Sequence, residues 1–351
     1  MARHLCTRYG NAVSAKKKAV TNALTPTLQT LPAWLNAEFG QHAVAIALVR
    51  DQQVDYHLHG LADVEANTKL TEDTLFEIGS VSKPLTALAV LSQIQAGRWQ
   101  LEQSLAQQVN LPQLAQHRYT LAALLTHRSG LPRLPANLAL DDISNPYAGY
   151  TEQQLLTALA DTRFTAPTFS YSNFGYGLLG FLLQHQLQRD FASIMQQLVF
   201  TPLGMKTAAV QSPHQAFAKL ASGYVISGEK TPNWQFDSLA GAGGVIASIQ
   251  DMAALLQAVF AQTEHNSLFR QWLTVLPSND EPKMAAGWMQ QDNLLWHAGQ
   301  TGGFTSVVAF DAEQKLGIVI LSNIAIPVTT QGLALLHQWI AQHTTQDLIA
   351  K

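Results

Sequence analysis

The rhythm of apolar and polar residues changes along the chain. "LPAWLNAEFG" carries helical spacing that closes near Gly40. "HAVAIALVR" is apolar and β-branched, "DQQ" turns, and "VDYHLHG" alternates, which predicts a β-hairpin. "TLFEIG" predicts a short strand. From Ser82, apolar residues at 85, 88, 89, 91 and 94 predict a helix that runs to Gly97. From about 98 to 237 the signals are mostly helices and loops: "YTLAALLTH", "TEQQLLTALAD", "YGLLGFLLQHQLQ" and "DFASIMQQLV". "SIQDMAALLQAVFA" predicts a further helix. Strand signals return in "AAGWMQQ", "NLLWHAG", "FTSVVAFDA" and "LGIVILSN", and "QGLALLHQWIAQH" predicts a closing helix. Strands at both ends with helices between them predict one α/β domain built from both termini, with a helical region inserted in it. The expected division is 25–97 together with 238–351 for the α/β domain and 98–237 for the inserted region, with the active site between them.

Composition narrows the function. Of 351 residues, 47% are hydrophobic, which places the chain among globular proteins. A net charge of -3 gives no global attraction to nucleic acid or anionic lipid. Cys6 is the one cysteine, so an internal disulfide and a cysteine-based zinc site are excluded. The first 37 residues contain no acid, and residues 1–24 are expected to form a disordered basic tail. "AVTNALTPTLQTLPAW" is too polar for a secretory signal, and no stretch approaches the roughly 20 apolar residues of a membrane span. The chain as written is therefore expected to be cytoplasmic; a clipped or replaced presequence would leave the same trace and would mean a periplasmic or secreted protein.

Candidate chemistry begins with S-x-x-K, which occurs three times: Ser14 to Lys17, Ser80 to Lys83, and Ser227 to Lys230. The first lies in the basic tail. The third sits in "VISGEKTP", where Gly228 and Pro232 argue against a helix. Ser80 alone lies between a strand and a helix start. Residues i and i+3 share a helix face, about 5–6 Å apart at Cβ. For Lys83 to act as a base, its pKa must fall from about 10.4 to near 7, a cost of about 4–5 kcal/mol that burial and the positive helix end can supply. Ser80 or Ser82 also fits a plain helix cap.

"FSYSNFGYGLLG" places Tyr171, Ser172 and Asn173 before a helix. A tyrosine there can share the proton work and an asparagine amide can hold a substrate carbonyl, although the triplet also fits a cap. "WHAGQTGGF" puts His297-Ala298-Gly299 on a late strand. Gly299 permits close backbone approach, and the amide of Gln300 can complete an oxyanion hole with that of Ser80. His297 by itself also fits an ordinary strand histidine. Lys315-Leu316-Gly317 lies in "FDAEQKLGIVIL" and reads as a hairpin turn. His57-Leu58-His59 lacks the aspartate that an H-x-H-x-D zinc set needs, and Gly241, Gly243 and Gly244 do not complete a dinucleotide fingerprint. No G-x-S-x-G occurs, which excludes the α/β-hydrolase elbow.

The blocks "FEIGSVSK", "LLTHRSGLP", "YSN", "PLGM", "GAGGVIAS" and "TGGFTSVVAFDAEQKLGIVILSN" follow one another over about residues 30–327. Together they resemble the serine β-lactamase and penicillin-binding-protein family, specifically its class C branch. That branch also holds D,D-peptidases, D-aminopeptidases and family VIII carboxylesterases. The resemblance implies an antiparallel sheet flanked by helices. It also implies a serine hydrolase with Ser80 as nucleophile, Lys83 and Tyr171 as proton-transfer partners, and Asn173, His297, Gly299 and Gln300 at the substrate. Which of Lys83 and Tyr171 is the base stays open. The third motif is usually Lys-Thr-Gly in class C β-lactamases; the histidine here is similar to what some peptidases and esterases carry. The resemblance implies no cofactor and no metal, and a small-molecule or short-peptide substrate with a reactive carbonyl.

The alternatives are a true class C-type β-lactamase, a D,D-peptidase or D-aminopeptidase, and a catalytically silent penicillin-binding module. A histidine with an ordinary pKa near 6.5 is mostly neutral at about pH 8. Small esters or D-amino-acid amides are therefore expected to be turned over better than cephalosporins. Carboxylate-bearing substrates are expected to lose kcat/KM between about pH 6 and 8.

Overall fold

A computed structural model describes residues 27, 29–163 and 168–349. The expected basic tail, with Cys6 and the Ser14 to Lys17 pair, lies outside the described residues.

The hydrophobic runs at the two ends of the chain meet in one antiparallel sheet. Strand β1 (Val44–Arg50) and β2 (Gln53–His59) form the early hairpin, and β3 (Met289–Gln291), β4 (Leu294–Gln300), β5 (Thr305–Asp311) and β6 (Leu316–Ser322) come from the late segment. Their order is β3-β4-β5-β6-β1-β2, so β1 pairs with β6 across the join, with Leu48 opposite Ile318. The β1 run is apolar throughout because both faces of the sheet are covered and successive side chains point to opposite faces. Val44, Ile46 and Leu48 pack with Leu31, Trp34 and Leu35 of helix α1 (Leu31–Phe39) and with Leu336 of α5 (Thr329–Ile349). Ala45, Ala47 and Val49 face the larger core, which includes helices α2 (Ser82–Gln95) and α4 (Ile249–Gln262).

A second, three-stranded sheet prepares the site. Leu75–Glu77 pairs antiparallel with Val245–Ser248, which also takes Ala209–Val210. Helix α3 (Asn173–Leu187) packs on α2, and the short helix Ala240–Gly243 packs on both. The "YTLAALLTH" helix is shorter than its pattern predicts. It spans Leu121–Leu125 because His127 adopts a left-handed φ of 58° that ends it. "DFASIMQQLV" is helical over Phe191–Met195 and widens into a π-turn at Gln196–Phe200.

Two expected decoys have structural places. Lys315, at φ 55°, lies in the turn between β5 and β6, where the Asp311 carboxylate accepts from the amides of Glu313 and Gln314. Ser227 and Lys230 belong to the turn and second strand of the small Gly223–Tyr224 and Lys230–Thr231 hairpin. On β2, His57 is exposed, while Nε2 of His59 lies 2.7 Å from the Gly40 carbonyl oxygen. Among the described residues no three His, Cys, Asp or Glu side chains converge as a metal site, and no helix is long and apolar enough to cross a membrane.

Candidate active site

Ser80 sits in a single 3-10 turn, Gly79–Val81, between the strand Leu75–Glu77 and helix α2. Ser82 does not cap that helix. Its hydroxyl accepts from the amide of Val245 at 3.0 Å, and so ties the turn to the neighbouring strand. The i, i+3 spacing brings Nζ of Lys83 to 2.9 Å from Oγ of Ser80. Lys83 is wholly buried, and its amine donates to the Ala242 carbonyl at 2.6 Å. No carboxylate is paired with it. Burial, then the field of Arg133, holds its pKa well below the usual lysine range.

Tyr171 and Asn173 flank Ser172, which caps α3 by accepting from the Gly175 amide at 2.9 Å. The cap and the chemistry thus share one triplet. Burial pushes the Tyr171 phenol well above its ordinary pKa, and a hydrogen bond with the Ser80 hydroxyl works the other way. The Lys83 amine lies 4.9 Å from the Tyr171 ring centroid. Asn173 donates through Nδ2 to the Tyr147 hydroxyl at 2.9 Å, and its Oδ1 has no partner.

The opposite wall is β4. A methyl group on Gly299 would overlap the carbonyl oxygen of Ile78, so this glycine lets the strand lie against the serine turn. His297 is 2% exposed, and its Nδ1 lies 2.7 Å from the Ala298 carbonyl oxygen. Burial, then the field of Lys83, lowers its pKa to about 3. This overturns the expected charge change between pH 6 and 8, because water is excluded from the ring and Lys83 lies close by.

Several residues at the site escaped sequence reasoning. His127 brackets Tyr171: its carbonyl accepts from the Ser170 amide at 2.8 Å, its Nδ1 accepts from the Ser172 amide at 3.0 Å, and the two rings lie 4.3 Å apart between centroids. The block "LLTHRSGLP" contains it, but nothing local says which loop it will hold. The guanidinium carbon of Arg133 lies 5.2 Å from the Tyr171 ring centroid, and its backbone carbonyl accepts from the Asn173 amide at 2.9 Å. Tyr147, Trp234 and Phe236 form an aromatic cluster with centroid spacings of 5.0–6.2 Å. Ser80, Lys83's neighbour Ala242, Arg133, Tyr171, Asn173, His297, Gly299, Gln300 and these rings meet at one cavity of about 410 Å³. Among the described residues, Arg133 is the one arginine or lysine lining it, and no Asp or Glu does.

Comparison with known proteins bears on the fold and the family. The chain is 26% identical over 322 residues to a beta-lactamase of Pseudomonas fluorescens, covering 80% of this chain and 88% of that protein. It is 24% identical over 309 residues to Protein flp of Staphylococcus aureus (strain MW2), covering 83% of this chain but only 61% of the relative's length. A beta-lactamase/D-alanine carboxypeptidase from Pseudomonas syringae superposes with a TM-score of 0.76 at 23% identity, over 90% of this chain and 97% of that one. A class C beta lactamase from Rhodobacter sphaeroides gives 0.73 at 22% identity, over 90% and 98%. These likenesses establish the fold. The family model described as Beta-lactamase matches residues 35–340, nearly the whole described chain, and the protein therefore belongs to the beta-lactamase family.

Proposed function

We propose that the protein is a serine hydrolase that opens an ester or amide carbonyl through an acyl-enzyme on Ser80. The observation that carries this reading is a wholly buried lysine with no carboxylate partner, 2.9 Å from a serine hydroxyl. Burial of this kind lowers a lysine's pKa and makes its neutral, proton-accepting form easier to reach. Nζ donates to the Ala242 carbonyl and to the Ser80 hydroxyl, and rotation about the Cε–Nζ bond turns the lone pair of the deprotonated amine to Ser80. Lys83 takes the Ser80 proton as Oγ attacks the substrate carbonyl. The oxyanion is held by the backbone amides of Ser80 and Gln300. Tyr171, a neutral phenol, delivers a proton to the leaving group as its bond to carbon breaks. The proton on Lys83 returns to Tyr171; a water then attacks the acyl carbon and gives a proton to the Lys83–Tyr171 pair, which passes it to Ser80 Oγ as the acyl–serine bond breaks and the acid leaves. The opposite directions in which burial moves the two groups favour Lys83 as base and Tyr171 as acid.

Esters and small amides suit a site whose third motif holds a neutral His297. The beta-lactamase names of the relatives keep β-lactam turnover as the rival reading. A fluorophosphonate probe should label Ser80, and Ser80→Ala should abolish both the label and turnover of p-nitrophenyl butyrate and nitrocefin. Labelling at another serine, or full activity in the variant, would sink the reading. A wild-type preference for nitrocefin of about tenfold, or 1.4 kcal/mol, would favour the β-lactamase.

A further inference from the structure

His297 carries a hydrogen-bonding atom that has no partner among the described residues. Its Nδ1 faces the Ala298 carbonyl oxygen at 2.7 Å. A carbonyl oxygen can only accept, so Nδ1 carries the hydrogen and the neutral ring presents Nε2 as a bare acceptor. Nε2 is buried and has no partner, and the residue lines the cavity beside Ser80. An unsatisfied buried polar atom of this kind is destabilising, and a matching donor on a ligand relieves it. The centroid of the Tyr171 ring is 6.2 Å from that of His297. Tyr171 protonates the departing group in the reading above, so Nε2 borders the leaving-group side.

We infer that His297 selects substrates whose leaving group presents an N–H or O–H donor, and accepts that hydrogen at Nε2. The inference rests on the Ser80 acyl-transfer reading. Its chemistry is opposite to that of a cationic lysine at this place. A lysine offers hydrogens and welcomes a carboxylate, whereas the Nε2 lone pair repels one. The preferred leaving groups are thus amide-bearing or hydroxyl-bearing and uncharged. Arg133 lies against the Tyr171 ring.

Three phenyl butyrates test this, with a meta substituent on the leaving phenol that is acetamido, N-methylacetamido or carboxylate. The first two differ by one N–H. The wild-type kcat/KM ratio of acetamido over N-methylacetamido should be about tenfold or more, the lower end for a site that reads a hydrogen bond. His297→Ala should bring that ratio to within about threefold, since the acceptor is gone. His297→Gln, whose amide oxygen can accept, should recover part of it and guards against a folding defect in the alanine variant. His297→Lys should make the carboxylate ester the best of the three. A wild-type ratio within about twofold, or an unchanged ratio in His297→Ala, would overturn the inference. Hydrolysis of all three esters that survives Ser80→Ala would instead overturn the acyl-enzyme reading, so the two failures are distinct.

Discussion

Gly79 faces Gln300 so closely that a methyl group on it would lie 2.7 Å from the Gln300 amide nitrogen. Its φ of 49° is also one that a side chain resists. The two amides proposed to hold the oxyanion therefore depend on a residue that has no side chain. Gly79→Ala should separate them. The expected result is a kcat lower by about 10²-fold, in the range for losing one oxyanion donor, with probe labelling of Ser80 slowed but not abolished. Stopped-flow acylation kinetics check it; a wild-type acylation rate would mean that Gln300 is not the second donor.

Proton transfer through Lys83 and Tyr171 predicts a non-additive pair. Lys83→Ala and Tyr171→Phe should each lower kcat by at least about 10²-fold. The double variant should lose much less than the product, because the two groups serve one pathway. Steady-state kinetics on p-nitrophenyl butyrate decide the matter, and full additivity would assign them to separate steps.

Lys83 should cost stability near neutral pH. Its folded-state pKa is depressed by burial. Between that value and the unfolded value of about 10.4, the unfolded chain binds a proton that the native state does not, so stability rises with pH through this window. Lys83→Met keeps the packing volume and removes the titration. Its melting temperature should exceed the wild type's by about 2 °C or more at pH 7, and the gain should shrink as pH approaches about 10.4. A gain independent of pH would mean that the lysine is charged when buried.

The pH response of substrate choice follows from His297 and Arg133. With the histidine pKa near 3, the ring is neutral from pH 5 upward. Lys83, Tyr171, Tyr147, Glu77 and His127 also titrate at or behind the cavity wall, and the ratio of two esters cancels whatever they do to both. The kcat/KM ratio of a carboxylate-bearing ester to its methyl ester should therefore stay flat between about pH 6 and 8, since a histidine with the ordinary pKa near 6.5 would make it fall. Among the described residues, Arg133 is the one cation left on the cavity wall. Arg133→Gln should lower that ratio by about threefold to tenfold, the range for a partly exposed ion pair. A ratio that tracks a group titrating near pH 6.5 would restore the charge switch to His297.

The parts of this site that could be read from the sequence are those whose chemistry fits in one turn of chain. Ser80 and Lys83 are three apart on a helix start, and Tyr171 and Asn173 flank a cap. The β-hairpins were legible because alternation and turn residues are local. His127 and Arg133 in one loop, Trp234 in another and the Ala242 carbonyl in a short helix were not, since only the packed fold brings these segments to Tyr171 and Lys83. The pKa of His297 was misjudged for the same reason: its cause is burial against Lys83, 214 positions earlier. Ser82 looked like a cap because the sequence does not show that Val245 will lie opposite it.

The pairing of β1 with β6 has a consequence for how the protein is made. Leu48 leaves the ribosome long before Ile318, its partner 270 positions later. At about 5–20 residues per second, the early hairpin waits on the order of 15–50 s with one apolar edge unmatched. During that interval β1 offers a sticky template to other nascent chains. Overproduction should thus yield inclusion bodies more readily than a melting temperature would suggest. A circular permutant that begins near residue 288 would deliver all six strands within the first third of synthesis and close the sheet at once.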